Sequence, residues 1–188
     1  MTLPDLDRWV AKPAICVSHH RRSVAPADRL WEAAHGVTLR ETSLLGRLIR
    51  WRIPGTPANI SFEELFRSPP FLVLHEAEHM LVSGLVGRIW TLRRDYPQPT
   101  SEAEYLDFSQ RGTARVVFAN WIQADPDGEF TTLASEVRVE AIGAQGRVGV
   151  AAVRPLVRAF HPLVATDGIE AAVRRAESVE RSEPARAT

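Results

Sequence analysis

Residues 75 to 79 read His-Glu-Ala-Glu-His and fit the spacing H-E-x-x-H. That pattern carries zinc-dependent hydrolysis when it lies on a helix. One turn of helix, at about 1.5 Å per residue, puts positions i and i+4 on one face, and both imidazoles reach one ion at about 2.0–2.1 Å. On a strand the rise is about 3.3 Å per residue, so the same two rings stand about 13 Å apart and share nothing. The chemistry therefore depends on the backbone between Phe71 and Trp90. Ser68 as a cap and Pro69 in a first turn favour helix. The β-branched Val73, Val82, Val86 and Ile89, with Gly84 and Gly87, disfavour it, and a hairpin turning near residues 76 to 79 fits the long apolar run. A third ligand is also needed. Val82 and Leu85 stand where the extended zinc pattern requires glycine and histidine, which leaves only Glu102 or Glu104.

Other chemical signatures are absent. The sequence has no Ser-His-Asp arrangement, no phosphate-binding glycine loop and no Cys-His pair. His19-His20-Arg21-Arg22 is basic, but alternate strand residues point to opposite faces. Without interleaved aromatics it does not make a nucleic-acid surface. Cys16 is the single cysteine, so no internal disulfide or cysteine-rich metal site can form, and a small buried filler in a reducing, cytoplasmic setting is expected.

The elements that must position these residues follow from periodicity. A first strand is expected over 14–24. Helices follow in APADRLWEAAHGV and TSLLGRLIRWRIPG, and a third in SFEELFRSPP, where Ser61 and Glu64 have the spacing of a capping box. YLDFSQRG and TARVVFANWIQADPDG read as β-rich, with DPDGEF as a turn. In the partner run Leu133, Val137 and Val139 alternate with Glu136, Arg138 and Glu140, the period of a strand with one buried face. Gly143-Ala-Gln-Gly146 reads as a turn. Val153, Val157, Phe160 and Val164 then recur at helical spacing in a long C-terminal helix, which Pro155, Pro162 and Gly168 are expected to bend or divide.

The whole chain limits the class of function. It has 188 residues, with 23 basic and 23 acidic side chains, 45% apolar and 24% charged content. That is one globular domain, with no global charge to draw nucleic acid or an acidic membrane. Lys12 is the only lysine. The N-terminus carries charges where a signal peptide needs an apolar core, and no apolar run is long enough to span a bilayer. The domain is expected over 11–178, with a flexible tail over 179–188.

LVSGLVGRIW (81–90) resembles a strand common in the SRPBCC superfamily, the START, Bet v 1-like and polyketide-cyclase-like helix-grip proteins. YLDFSQRGTARVVFANWI, TTLASEVRVEA and FHPLVATDGIEAAVRRAE follow in the order that superfamily uses, so the resemblance covers roughly 14 to 178. Leu81 and Ser83 replace more polar residues. The resemblance implies an α+β fold in which about seven antiparallel strands curve round the C-terminal helix and enclose a cavity. It also implies that HEAEH lies on strands, which argues against zinc. The expected ligand is a small hydrophobic or lipid-like molecule, with no cofactor, no nucleic acid and no membrane span; a homodimer stays open. Wall candidates are Trp51, Trp90, Phe118, Val137, Phe160 and Val164, for each of which plain core filling is the more common role. His161 is a candidate hydrogen-bonding group. Glu136 and Arg138 resemble the "TETRV" pair of that superfamily and share one strand face. Outward they are a solvated pair worth at most about 1 kcal/mol; inward they bind a polar headgroup. The superfamily also includes cyclases and dehydratases acting on polyketide-like substrates, for which His161 or Glu136 would transfer protons.

Overall fold

The computed structural model describes residues 3–42, 44–53, 55–91, 96–125 and 128–182, with the side chains of all but 44, 45, 52, 156–167 and 179–182. After a 3-10 turn at Leu6–Arg8 come β1 (Ile15–Ser23), α1 (Ala27–Gly36), α2 (Leu44–Arg52), α3 (Phe62–Arg67), β2 (Leu72–Ala77), β3 (Met80–Gly87), α4 (Glu102–Asp107), β4 (Thr113–Ala124), β5 (Thr131–Ile142) and α5 (Gly143–Ser182). The strands form one antiparallel sheet in the order β1-β5-β4-β3-β2.

The architecture is α+β, as expected, but with five strands among the described residues rather than about seven. The three helices expected between β1 and β2 are present as α1, α2 and α3, and the departure from expectation lies further on. Tyr105 and Leu106, read from sequence as β-rich, lie in α4. There Ser101 accepts a hydrogen bond from the Glu104 amide at 3.2 Å, and Glu102 and Glu104 place negative charge at the helix N-terminus. This local cap outweighs the β preference of the aromatic residue. In α3 the expected capping box is present: the Ser61 hydroxyl accepts from the Glu64 amide, and the Ser61 amide donates to the Glu64 carboxylate, each at 3.1 Å. At the far end of β5 no separate turn intervenes. Gly143, at φ +75°, reverses the chain, and α5 starts there and is continuous through Pro155, Pro162 and Gly168.

Both faces of the sheet are covered. Leu6, Trp9 and Val10 of the N-terminal segment and Tyr105 of α4 pack on one face, against Met80, Val82, Val86, Val117, Ala119, Trp121 and Ala134. Helices α1 and α5 cover the other. There Leu81, Ile122 and Leu133 meet Leu30 and Trp31 of α1 and Ile169, Ala172, Val173 and Ala176 of α5. At the opposite end Ile15, Leu85, Val116 and Val139 meet Val150 of α5. Each such aliphatic side chain contributes about 1.5–3 kcal/mol by leaving water. Among the described residues no helix is long and apolar enough to cross a membrane.

Candidate functional site

The H-E-x-x-H residues lie on a hairpin. His75 pairs with Val82 inside the β2–β3 ladder, and residues 78 and 79 make the turn. The His75 ring lies 6.3 Å from Trp9 on the N-terminal side of the sheet, whereas His79 meets Trp31 of α1 at 6.2 Å. Because the two imidazoles pack against opposite layers, they cannot close on one ion. Glu76 is held by Arg67, whose hydrogen bonds hold its carboxyl below the usual carboxylate range.

Strand pairing puts a different set of residues together on the face beneath α5. His19 is opposite Ser135, and Ser135 is opposite Asn120. One step along, Val17, Val137 and Phe118 form a parallel row. All six are half-buried, and Val17, Val137 and Phe118 pack against the apolar cluster that contains Val150. Among the described side chains, α5 packs on the sheet at Val150 and again from Ile169, about 28 Å apart along its axis. The six side chains, three apolar and three polar, form a belt. Asn120 and Ser135 make no side-chain hydrogen bond among the described residues. An amide and a hydroxyl at the edge of an apolar surface, with donors and acceptors unspent, can orient a ligand that carries a polar end.

The residues expected from sequence are dispersed. Phe118 belongs to the belt and packs at 5.4 Å against both Phe66 and Phe71. Val137 is its neighbour across the ladder. Trp90 is half-buried beside Val150 and lies so close to Gly149 of α5 that a Cβ there would meet the indole at 2.1 Å. Trp51 is 62% exposed on α2, directed to solvent rather than to an interior wall. The side chains of Phe160, His161 and Val164 lie outside the described residues.

Glu136 and Arg138 are on the far side of the sheet, beneath the N-terminal segment. Arg138 donates to Glu136 at 2.6 Å, to the Asp7 carboxylate and to the Val10 carbonyl at 3.2 Å. At 15% and 19% side-chain exposure they are more enclosed than the solvated pair anticipated for that face, because the segment over 5–10 lies on top of them. Cys16 faces the same side and is exposed, which corrects the expectation of a buried filler: β1 is an edge strand, and its even-numbered side chains have no helix over them. Partial burial and the neighbouring Glu136 carboxylate push its thiol pKa up, so it is not poised as a thiolate nucleophile.

Asn120 and Ser135 were not singled out from the sequence, and His19 was read only as part of a basic cluster. The signal was there: each is a polar residue on a stripe of alternating apolar ones, as in Leu133-x-Ser135-x-Val137-x-Val139.

The sequence matches no protein-family model and no curated protein. Among solved structures it is similar to TTHA0849 from Thermus thermophilus, at 12% identity over 88% of this chain and 99% of that one, with a TM-score of 0.36. The hypothetical protein jhp0584 from Helicobacter pylori aligns over 94% and 93% at 10% identity and a TM-score of 0.37. The Zhui aromatase/cyclase from Streptomyces sp. R1128 aligns over 87% and 93% at 16% identity and a TM-score of 0.34. Likenesses at this level assign neither family nor activity.

Proposed function

We propose that the protein binds a small, largely apolar molecule between the sheet and α5, oriented by the His19–Ser135–Asn120 row. The observation that carries this reading is the half-buried row of His19, Ser135 and Asn120 beside Val17, Phe118 and Val137, in which the Asn120 amide and the Ser135 hydroxyl make no side-chain hydrogen bond among the described residues. Apolar walls supply affinity, and a few polar groups supply orientation. Binding is favoured over proton-transfer catalysis because Glu136, one of the two acid–base candidates, faces the opposite side of the sheet and is spent on Arg138. A cyclase of the polyketide type would need its acid–base groups on the α5 side.

The test is a fluorescence titration with an environment-sensitive apolar dye. Wild-type protein is expected to saturate at one dye per chain. Ser135→Trp, which fills the belt, is expected to weaken binding at least tenfold, while Arg22→Trp on the other face leaves it unchanged. Equal dye binding by wild type and Ser135→Trp would refute the proposal.

A further inference from the structure

A second constellation sits apart from the belt, where the β2–β3 turn meets α1. Asp28, Trp31, Glu32 and His35 follow i, i+3, i+4, i+7 spacing and so share one face of α1. Opposite them stand Glu78 and His79 of the turn and Glu63 of α3, and together these residues line a cleft of about 480 Å³.

Three properties distinguish this cleft from an ordinary wet acidic surface. Of its carboxylates Glu63 is paired with Arg67 at 3.1 Å, but the others meet no guanidinium among the described residues. Elsewhere several carboxylates meet arginines: Glu76 with Arg67, Glu102 with Arg8, Glu136 with Arg138, Glu140 with Arg115. In the cleft Asp28 meets only an imidazole, and Glu32 and Glu78 have no cationic partner among the described residues. The second property is that His79 is held in place. Its ring is 11% exposed, lies edge-on to Trp31 at 6.2 Å, and its carbonyl accepts from the Ile122 amide at 3.0 Å. The third is that the neighbouring His35, its ring tilted against Trp31 with centroids 4.1 Å apart, leaves Nε2 buried with no hydrogen-bond partner among the described residues.

We infer that Asp28, Glu78 and His79 form a binding site for a divalent transition-metal ion of the zinc or manganese type. One ligand atom from each residue lies within 4.8 Å of the other two. His79 Nε2 is 2.7 Å from Asp28 Oδ1. Two atoms bound to one ion at about 2.0–2.2 Å and a tetrahedral angle stand about 3.4 Å apart. Asp28, with an 89% exposed side chain, need only withdraw by less than about 1 Å to admit the ion. One imidazole and two carboxylates favour a borderline ion over magnesium or calcium, which take all-oxygen shells. Water completes the coordination on the open side of the cleft. His79 thus contributes to a site of a different composition from the one its H-E-x-x-H spacing suggests, and His75 has no part in it.

The experiment is calorimetric titration of the chelator-stripped 188-residue chain with Zn²⁺ and, separately, Mn²⁺ and Mg²⁺. One Zn²⁺ per chain is expected, bound more tightly than Mg²⁺. Asp28→Asn and Glu78→Gln, both exposed substitutions, are each expected to weaken Zn²⁺ at least tenfold with an unchanged circular dichroism spectrum. His75→Ala is expected to bind as wild type does. Absence of Zn²⁺ binding, wild-type affinity in both carboxamide variants, or a loss in His75→Ala equal to theirs would each overturn the assignment.

Discussion

The two faces of the sheet are built on different terms. The face under the N-terminal segment and α4 is closed: Val82, Val117, Tyr105 and Ala119 are fully buried, the Tyr105 hydroxyl donates to the Val116 carbonyl at 3.0 Å, and Glu136 and Arg138 satisfy one another. On the face under α5 the described side chains close at the two ends, and the residues between are half-buried, Asn120 and Ser135 making no side-chain hydrogen bond among the described residues. A fold needs one thoroughly packed side for stability. The contrast teaches that the first face stabilises this chain, whereas the middle of the second is where the proposed ligand would sit.

If so, substitutions should separate stability from binding. The largest effect belongs to the closed face. Tyr105→Ala is expected to cost about 3–5 kcal/mol in denaturant unfolding, since it removes a fully buried ring and orphans a carbonyl. Gly84→Ala comes next. Its new methyl would stand 2.6 Å from the Tyr105 ring and 2.8 Å from Leu74, an overpacking worth about 1–3 kcal/mol. Glu136→Gln, which leaves the enclosed Arg138 with a weaker partner, is expected to cost about 1–2 kcal/mol and to expose the segment over 5–10 to proteolysis. In the belt, Asn120→Ala and Ser135→Ala should each move stability by less than about 0.5 kcal/mol while lowering affinity for an apolar ligand with a polar end. Were the belt substitutions to destabilise as much as Tyr105→Ala, the contrast between the faces would be lost.

A smaller effect concerns pH. Burial holds the His35 imidazole below its ordinary pKa of about 6.5. A depressed imidazole binds fewer protons in the folded than in the unfolded chain. Its neutral form is therefore compatible with full stability above about pH 6.5, and stability falls as pH drops through that value towards the folded pKa. Denaturation midpoints measured across this window should slope downward towards acid in wild type and less so in His35→Phe, which keeps an aromatic ring against Trp31.

Much of the fold was legible because local rules and tertiary packing agree. The capping box at Ser61, the helix between Pro26 and Val37, the hairpin around residues 78 and 79 and the alternation of Leu133 to Glu140 all appear where periodicity puts them. What escaped was decided by contacts at long sequence separation. Nothing local announces that Arg138 will be covered by Asp7 and Val10, or that Trp51 will stay outside. The belt was half-legible. Polar residues interrupting an apolar stripe are visible in sequence, but only the register that sets His19, Ser135 and Asn120 side by side turns three interruptions into one row. The face of α1 that bears Asp28, Glu32 and His35 was equally open to a helical count, but helical spacing does not reveal that the β2–β3 turn will stand opposite it.

Native mass spectrometry of the protein purified from its own host tests the central claim most directly. The account predicts a small-molecule adduct at one per chain, absent from Ser135→Trp purified in the same way. Bare chain in both preparations, together with no saturable uptake of an apolar probe by wild type, would contradict it.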